Sequence, residues 1–351
     1  MNQISFCHLH SHTEFSLLDG SNRIKDYLDY VKELGMTSAA ITDHGVMYGV
    51  IEFYKYAKSI GIHPILGCEV YVAPGNMEEK SGQTQRYFHL VLLAENNVGY
   101  QNLLKIVSLG FTNGFYYRPR VDFKTLEQHH EGLIALSACL AGEVSKKLLK
   151  GSYRAACETA IRYKQLFGSD HYYLELQDHG LPEQKKVNEQ LIKMSQELNI
   201  PLVATNDVHY TKQEDAAAHD VLLCIQTKKK LTDSDRLRYE GEQYYVKSPE
   251  EMQALFPKYT EALQNTYKIA ERCQVELTFN DYHLPEFTAP DGLSSWDYLN
   301  KLCKDGLKKR YPDHYEEHKP QLIYELNTIK EMGFIDYFLI VWDYVRFAKV
   351  N

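Results

Sequence analysis

Ile4-Ser-Phe-Cys-His8, Ile24-Lys-Asp-Tyr-Leu-Asp-Tyr-Val-Lys-Glu-Leu34 and Ser38-Ala-Ala-Ile-Thr42 follow one another near the start of the chain, and their order decides the fold. The outer two are short β-branched or aromatic runs, as strands are. The middle one puts Ile24, Tyr27, Leu28, Val31 and Leu34 on one helical stripe, with Gly35 as its stop. Further runs of the first kind are Pro64–Val72, Phe88–Ala94, Leu133–Ser137, Tyr172–Leu176 and Leu202–Thr205. Helical stretches lie between them; in Pro182–Leu198, Val187, Leu191, Met194 and Leu198 share a face behind an opening proline. Alternating strand and helix predicts parallel strands joined by crossovers. Seven such units suit an α/β barrel, with an open doubly wound sheet as the alternative.

The chain has 351 residues, enough for about two domains, and its 25% charged residues are those of an ordinary globular protein. Its net charge of −8 disfavours holding nucleic acid by bulk charge, while leaving room for a local site where bound cations supply the positive charge. The 7 cysteines include no CxxC pair, and no secretory signal follows Met1, so a reducing, cytoplasmic setting is expected. The longest apolar stretch, Phe334 to Val345, is too short for a membrane span and carries Asp336 and Asp343.

The pattern changes after about Asn280. The first domain is expected over 1–280 and a linker over 281–295, which contains Pro285, Pro290, Asp291 and Gly292. Three helices follow, near Trp296–Arg310, Pro320–Met332 and Tyr337–Lys349, as the truncated opening of a second domain over 296–351.

Metal-capable side chains fall at the ends of the strand-like runs. His8, His10 and His12 stand at alternate positions, so in an extended segment they face the same way. Asp19 lies in the loop beyond. Asp43 and His44 close the second run, Glu69 lies in the third, Cys139 follows the fifth, and Asp207 and His209 follow the seventh. In a parallel barrel the carboxyl ends of the strands form one rim, where active sites gather. His89 alone stands at the start of its run. Imidazoles, carboxylates and a thiol suit Zn²⁺, with Mn²⁺ or Fe²⁺ as competitors, and hold too much nitrogen for Mg²⁺ or Ca²⁺. So many ligands exceed one ion's needs and imply two or three.

His10-Ser-His12, Ser16-Leu-Leu-Asp-Gly20, Thr42-Asp-His-Gly45, Gly67-Cys-Glu69, Phe88-His89, Ser137-Ala-Cys139 and Asn206-Asp-Val-His209 together resemble the PHP (polymerase and histidinol phosphatase) domain. Gly114-Phe-Tyr-Tyr-Arg-Pro-Arg120, Leu174-Glu-Leu-Gln-Asp-His-Gly180 and Gly333-Phe-Ile-Asp-Tyr-Phe338 extend the likeness to the amino-terminal part of bacterial replicative DNA polymerases. The resemblance implies a distorted seven-unit (β/α) barrel of PHP type, followed by the helical start of a polymerase palm-like domain. It also implies a trinuclear metal centre on His10, His12, Asp19, His44, Glu69, His89, Cys139, Asp207 and His209. Asp19, His44 and Asp207 are its catalytic candidates, as ligands holding a hydroxide. His8 and Asp43 become neighbours of the ligands, Asp43 orienting a histidine.

The activity implied is a metal-dependent 3′→5′ exonuclease that proofreads a growing strand. Arg118 and Arg120 are candidate phosphate grips, and Lys228-Lys-Lys230 with Arg236 and Arg238 could face nucleic acid. The implied partners are a single-stranded DNA 3′ end, other replicase subunits including a separate proofreading exonuclease, and the rest of a polymerase chain; no membrane is expected. The palm's catalytic carboxylates would lie past Phe338, so no polymerase activity is expected of this chain. Two other readings remain: a metal-binding scaffold that docks a proofreading subunit, and a free-standing phosphatase for a small phosphomonoester.

Overall fold

The computed structural model describes residues 5–81, 87–281 and 284–351, which divide into two compact units, Met1–Glu276 and Leu277–Asn351. Among the described residues the first unit has eight strands: β1 Ser38–Ile41, β2 His63–Val72, β3 Phe88–Ala94, β4 Phe115–Tyr116, β5 Arg118–Val121, β6 Leu133–Leu136, β7 Tyr172–Leu176 and β8 Leu202–Ala204. The main path runs β4-β5-β2-β3-β6-β7-β8, and β1 pairs with β2. At the start of β2, His63 aligns with Ser38 of β1; at its far end, Tyr71 and Val72 pair with Arg120 and Val121 of β5.

The expectation of a wholly parallel sheet is corrected here. β3 runs antiparallel to both β2 and β6, whereas β1–β2, β6–β7 and β7–β8 are parallel. The short connection from Val72 to Phe88 holds no helix among its described residues, so the chain turns back instead of crossing over. A second correction concerns the first run. Ile4 lies outside the described residues, and Ser5–His8 forms no regular strand. The segment is nevertheless extended between two neighbours: Ala40 N donates to His8 O (3.1 Å) and Thr42 N to Ser11 O (2.9 Å) on one side. On the other, His12 N donates to Val208 O (2.7 Å) and Val208 N to His10 O (3.0 Å). These bonds close the curled sheet into a distorted α/β barrel.

Leu9, Ala40, Ile65, Val91, Ile134, Leu136 and Val203 fill the interior and are fully buried. The helix Thr260–Arg272 and the residues after it cap one end. Thr266 Oγ1 accepts from Cys7 N (3.0 Å), Asn265 Nδ2 donates to Leu202 O (2.8 Å), and His63 Nε2 meets Cys273 O (2.7 Å). Those are the starting ends of the parallel strands, so the opposite rim is left for the loops. Outside, Ile24–Glu33 buries Ile24, Tyr27, Leu28 and Val31, the stripe read from the sequence, and Gly35 follows at φ +77°.

The second unit consists of the helices Ser295–Arg310, Tyr315–Glu331 and Ile335–Val350 around Leu299, Leu326 and Leu339. The middle helix starts five residues before Pro320 and carries that proline inside it, not at its opening as expected. Tyr282 and His283 of the expected linker lie outside the described residues. No helix among the described residues is long and apolar enough to cross a membrane.

Candidate metal centre

Four loops and one strand start meet at the open rim. The reversal of β3 explains His89: because this strand runs the other way, its first residues lie level with the last residues of β2, and His89 aligns with Tyr71. A position early in a strand thus reaches the same rim as positions late in the others.

Glu69 is the hub. Its Oε2 lies 2.7 Å from His10 Nε2 and 3.9 Å from His12 Nε2, while Oε1 lies 2.9 Å from His44 Nδ1 and 2.5 Å from His89 Nδ1. Asp207 Oδ1 sits 3.1 Å from His12 Nε2, 3.3 Å from His10 Nε2 and 3.6 Å from His209 Nδ1. Asp19 reaches His44 Nε2 at 3.4 Å and His209 Nε2 at 3.8 Å. Three groups result, each with ligand atoms within 4.8 Å of one another: His10, His12, Glu69 and Asp207; His44, Glu69 and His89; and His12, His44 and His209. Cys139 Sγ lies 3.8 Å from His89 Nδ1, beside the second group.

The backbone is unusual at the same places. Leu18, Ala138 and Asp207 have φ of 60°, 62° and 46°, in the left-handed region that non-glycine residues rarely adopt. Two of them directly precede Asp19 and Cys139; the third is itself a candidate ligand.

Charges are tightly interlocked. Burial works against a charge on His44, but Glu69 and Asp19 overcome it and raise its pKa to about 10. His10 is likewise held above its ordinary value, burial being outweighed by Asp207 and Glu175. His12 goes the other way, pushed down by burial and by the neighbouring His44 and His209. Against the cost of burial, the histidines hold Glu69 and Asp207 well below the usual carboxylate range. Burial, together with Asp207 and Glu69, raises the Cys139 thiol.

Three carboxylates and five imidazoles thus share one largely buried rim with no lysine or arginine between them among the contacts above. His44 Nε2 is buried with no hydrogen-bond partner, since Asp19 Oδ2 lies outside hydrogen-bond geometry. A divalent cation fits this donor set: it neutralises the carboxylates and takes the imidazole lone pairs that protons otherwise occupy.

Other sequence expectations fare differently. His8 does not share the cluster: its Nε2 meets Lys247 O at 2.9 Å. Asp43 contacts no ligand histidine directly; it accepts from Thr13 N (2.6 Å), Thr13 Oγ1 (2.7 Å) and Ser16 Oγ (2.6 Å). Its side chain therefore fixes the loop that carries Asp19 and reaches the cluster through Ser16, whose Oγ is 3.4 Å from His12 Nδ1, while its carbonyl accepts from Glu69 N (3.1 Å). Arg120 is fully buried and donates to the carbonyls of Gly114, Met77 and Glu79, so it holds a loop and is not available to a phosphate. Arg118 is exposed, with its guanidinium 5.7 Å above the Tyr71 ring, which itself stacks 6.3 Å from His44. Arg236 is paired with both carboxylate oxygens of Asp220.

Two contacts were not foreseen. Tyr239 OH lies 3.2 Å from both Asp19 Oδ1 and His209 Nε2. Glu175, on the wholly buried strand β7, lies 2.7 Å from His10 Nδ1. A carboxylate inside a buried strand was the available signal for Glu175; nothing local marks Tyr239.

A metal-capable cluster on the loop rim of a distorted α/β barrel is the pattern expected of a PHP domain, and residues 8–179 match the PHP domain model. That stretch of the chain belongs to the family. Residues 297–351 match a second model, the bacterial DNA polymerase III alpha NTPase domain. Along nearly its whole length the chain is similar to the DNA polymerase III subunit alpha of Treponema pallidum, with 47% identity over 99% of this chain and 30% of that protein. For the Borreliella burgdorferi protein of the same name the identity is 44%, again over 99% of this chain and 30% of the relative. The chain therefore spans about 30% of the length of these relatives. Among solved structures, a two-domain Bacteroides vulgatus protein containing a predicted PHP-like metal-dependent phosphoesterase aligns at TM-score 0.36 and 13% identity. That alignment covers 75% of this chain and 63% of the other.

Proposed function

We propose that the rim binds two or three transition-metal ions, Zn²⁺ foremost and Mn²⁺ or Fe²⁺ as competitors, and hydrolyses phosphodiesters at a single-stranded DNA 3′ end. In a replicase this is the work of a proofreading 3′→5′ exonuclease, carried on a polymerase alpha chain beside other replicase subunits. The ligands are His10, His12, Asp19, His44, Glu69, His89, Cys139, Asp207 and His209. The organisation proposed with it is a barrel over 1–280, a linker over 281–295 and the start of the palm region over 296–351.

One observation carries this reading: the two oxygens of Glu69 face different groups of imidazoles, so a single carboxylate serves two neighbouring subsites. Bound ions would supply Lewis-acid polarisation of the phosphate and an acidified water, with paired sites clamping both oxygens of the displacement. The protein's part is to hold the donors in place before substrate arrives. Asp43 ties down the Thr13–Ser16 turn, the tyrosines 71 and 239 wall the mouth, and Arg118 stands there to steady a phosphate. Neutralising the carboxylates also offsets the repulsion that a net charge of −8 exerts on DNA.

The test joins elemental analysis to a nuclease assay on the same purified sample. More than one equivalent of transition metal per chain is expected, with stepwise release of nucleoside monophosphates that stops on chelation. His12→Ala and Asp207→Asn should lower the rate by orders of magnitude while far-ultraviolet dichroism stays native. Less than one equivalent after Zn²⁺ or Mn²⁺ reconstitution, or full activity in both variants, would falsify the proposal.

A further inference from the structure

We infer that Glu175 is a positioning residue for His10: it holds the Nδ1 side of the ring, so that Nε2 is presented to the metal group. The inference rests on the metal-centre reading above and adds a residue to it.

His10 is fully buried, and its two nitrogens face opposite ways. Nε2 looks toward Glu69 Oε2 and Asp207 Oδ1, inside the group that also holds His12. Nδ1 looks toward Glu175 Oε1, which lies outside all three groups. A histidine that ligates through one nitrogen needs an acceptor on the other, because that hydrogen bond fixes both the tautomer and the ring plane. Glu175 is placed as that acceptor.

The carboxylate is itself immobilised. Thr205 Oγ1 donates to the same oxygen at 2.5 Å and Gln177 Nε2 at 2.9 Å, while Glu175 N donates to Ser137 Oγ at 2.9 Å. Thr205 and Gln177, just past the ends of β8 and β7, thus hold the side chain, while Ser137, just past β6, holds its backbone. Both side-chain partners donate to this oxygen and so mark it as an acceptor, the role it also takes toward an N–H at His10 Nδ1. Gln177 Nε2 also lies near Nδ1, but at 3.4 Å against 2.7 Å for Glu175. The shorter contact makes Glu175 the nearer acceptor for a hydrogen on Nδ1.

A structural explanation alone is weak. Burying a carboxylate is costly, and a leucine on β7 would satisfy packing without that cost. Glu175 Oε2 is in fact buried with no partner, a penalty accepted to aim Oε1 at His10.

The test uses the 351-residue chain and Zn²⁺ as the probe. Affinity is measured by chelator competition for wild type, Glu175→Gln and Glu175→Leu, with melting temperatures of the metal-free chains alongside. Glutamine keeps an acceptor oxygen and should stay within roughly ten-fold of wild type, whereas leucine should lose about a hundred-fold. In the zinc-loaded wild type, the ¹⁵N spectrum should show His10 protonated at Nδ1, and Glu175→Leu should disturb that signal. Metal-free melting should change little beside the loss of the zinc-induced rise. Wild-type affinity in Glu175→Leu, or a His10 ring protonated at Nε2, overturns the inference and leaves the metal centre standing. A wild-type chain that takes up no metal overturns both.

Discussion

The barrel and the helical unit handle burial in opposite ways. The barrel places a dry apolar core beneath a charged rim, and its chain segments approach closely enough that single atoms matter. The helical unit gathers three helices around Leu299, Leu326 and Leu339, while Tyr337, Tyr344 and Phe347 remain exposed on its last helix. Close packing lets the barrel set side chains against one another to within a few tenths of an ångström, as a multi-ligand site demands. The helices carry no such demand, and their looser packing tolerates change.

Paired glycine substitutions should break or sharpen this contrast most strongly. A Cβ at Gly99 would lie 1.7 Å from Gly132 O, a collision with backbone that no rotamer relieves. Gly99→Ala is expected to cost several kcal/mol, on the order of the largest core substitutions, and to lower the barrel's melting temperature by many degrees. At Gly306, inside the helix Ser295–Arg310, the nearest atom is the end of Arg310 at 3.5 Å. Gly306→Ala should therefore stabilise the helical unit, by up to about 1 kcal/mol of helix propensity. Calorimetry that finds both substitutions equally harmless would erase the distinction between the units.

Acid should act mainly on the barrel. Burial lowers the pKa of His8, His179 and His219 to about 4. The unfolded chain, with histidines near 6.5, binds more protons than the folded one between those values. The stability carried by these three histidines is therefore full above about pH 6.5 and lost as pH falls toward 4. Thermal melts in chelator at pH 7 and pH 4.5 should show the barrel transition falling by several degrees or more, with a much smaller shift in the helical unit.

The smallest effect separates two arginines on one strand. Arg118→Ala should leave melting unchanged and weaken a single-stranded substrate's KM by roughly the few-fold expected of one exposed phosphate contact. Arg120→Ala should do the reverse, lowering stability by removing a buried donor from several carbonyls. Kinetics that show the two variants alike would remove Arg118 from the mouth of the site.

Much of this was legible in the sequence because periodicity reports which residues are buried. Six of the seven strand-like runs are strands, and Ile24–Glu33 and Pro182–Leu198 bury the faces their patterns mark. Periodicity is blind to direction, however. An antiparallel β3 and a parallel one carry the same apolar residues, so the strand map alone misplaced His89. The two-strand hairpin β4–β5 was missed because its strands are only two and four residues long. Spacing alone groups His8 with His10, and only the structure shows its ring engaged with Lys247 O. Arg120 reads as a phosphate grip until the carbonyls around it are seen.

Leu18, Ala138 and Asp207 hold a left-handed backbone that costs roughly 1–2 kcal/mol at each residue with a Cβ. A lineage selected only for ruggedness would drift toward glycine at the first two, relieving that cost. It would also set the loop tips free, and Asp19 and Cys139 would then wander when nothing is bound. Stability and readiness thus compete for the same positions, and a thermostabilising screen blind to activity should return glycine there first, at the expense of turnover.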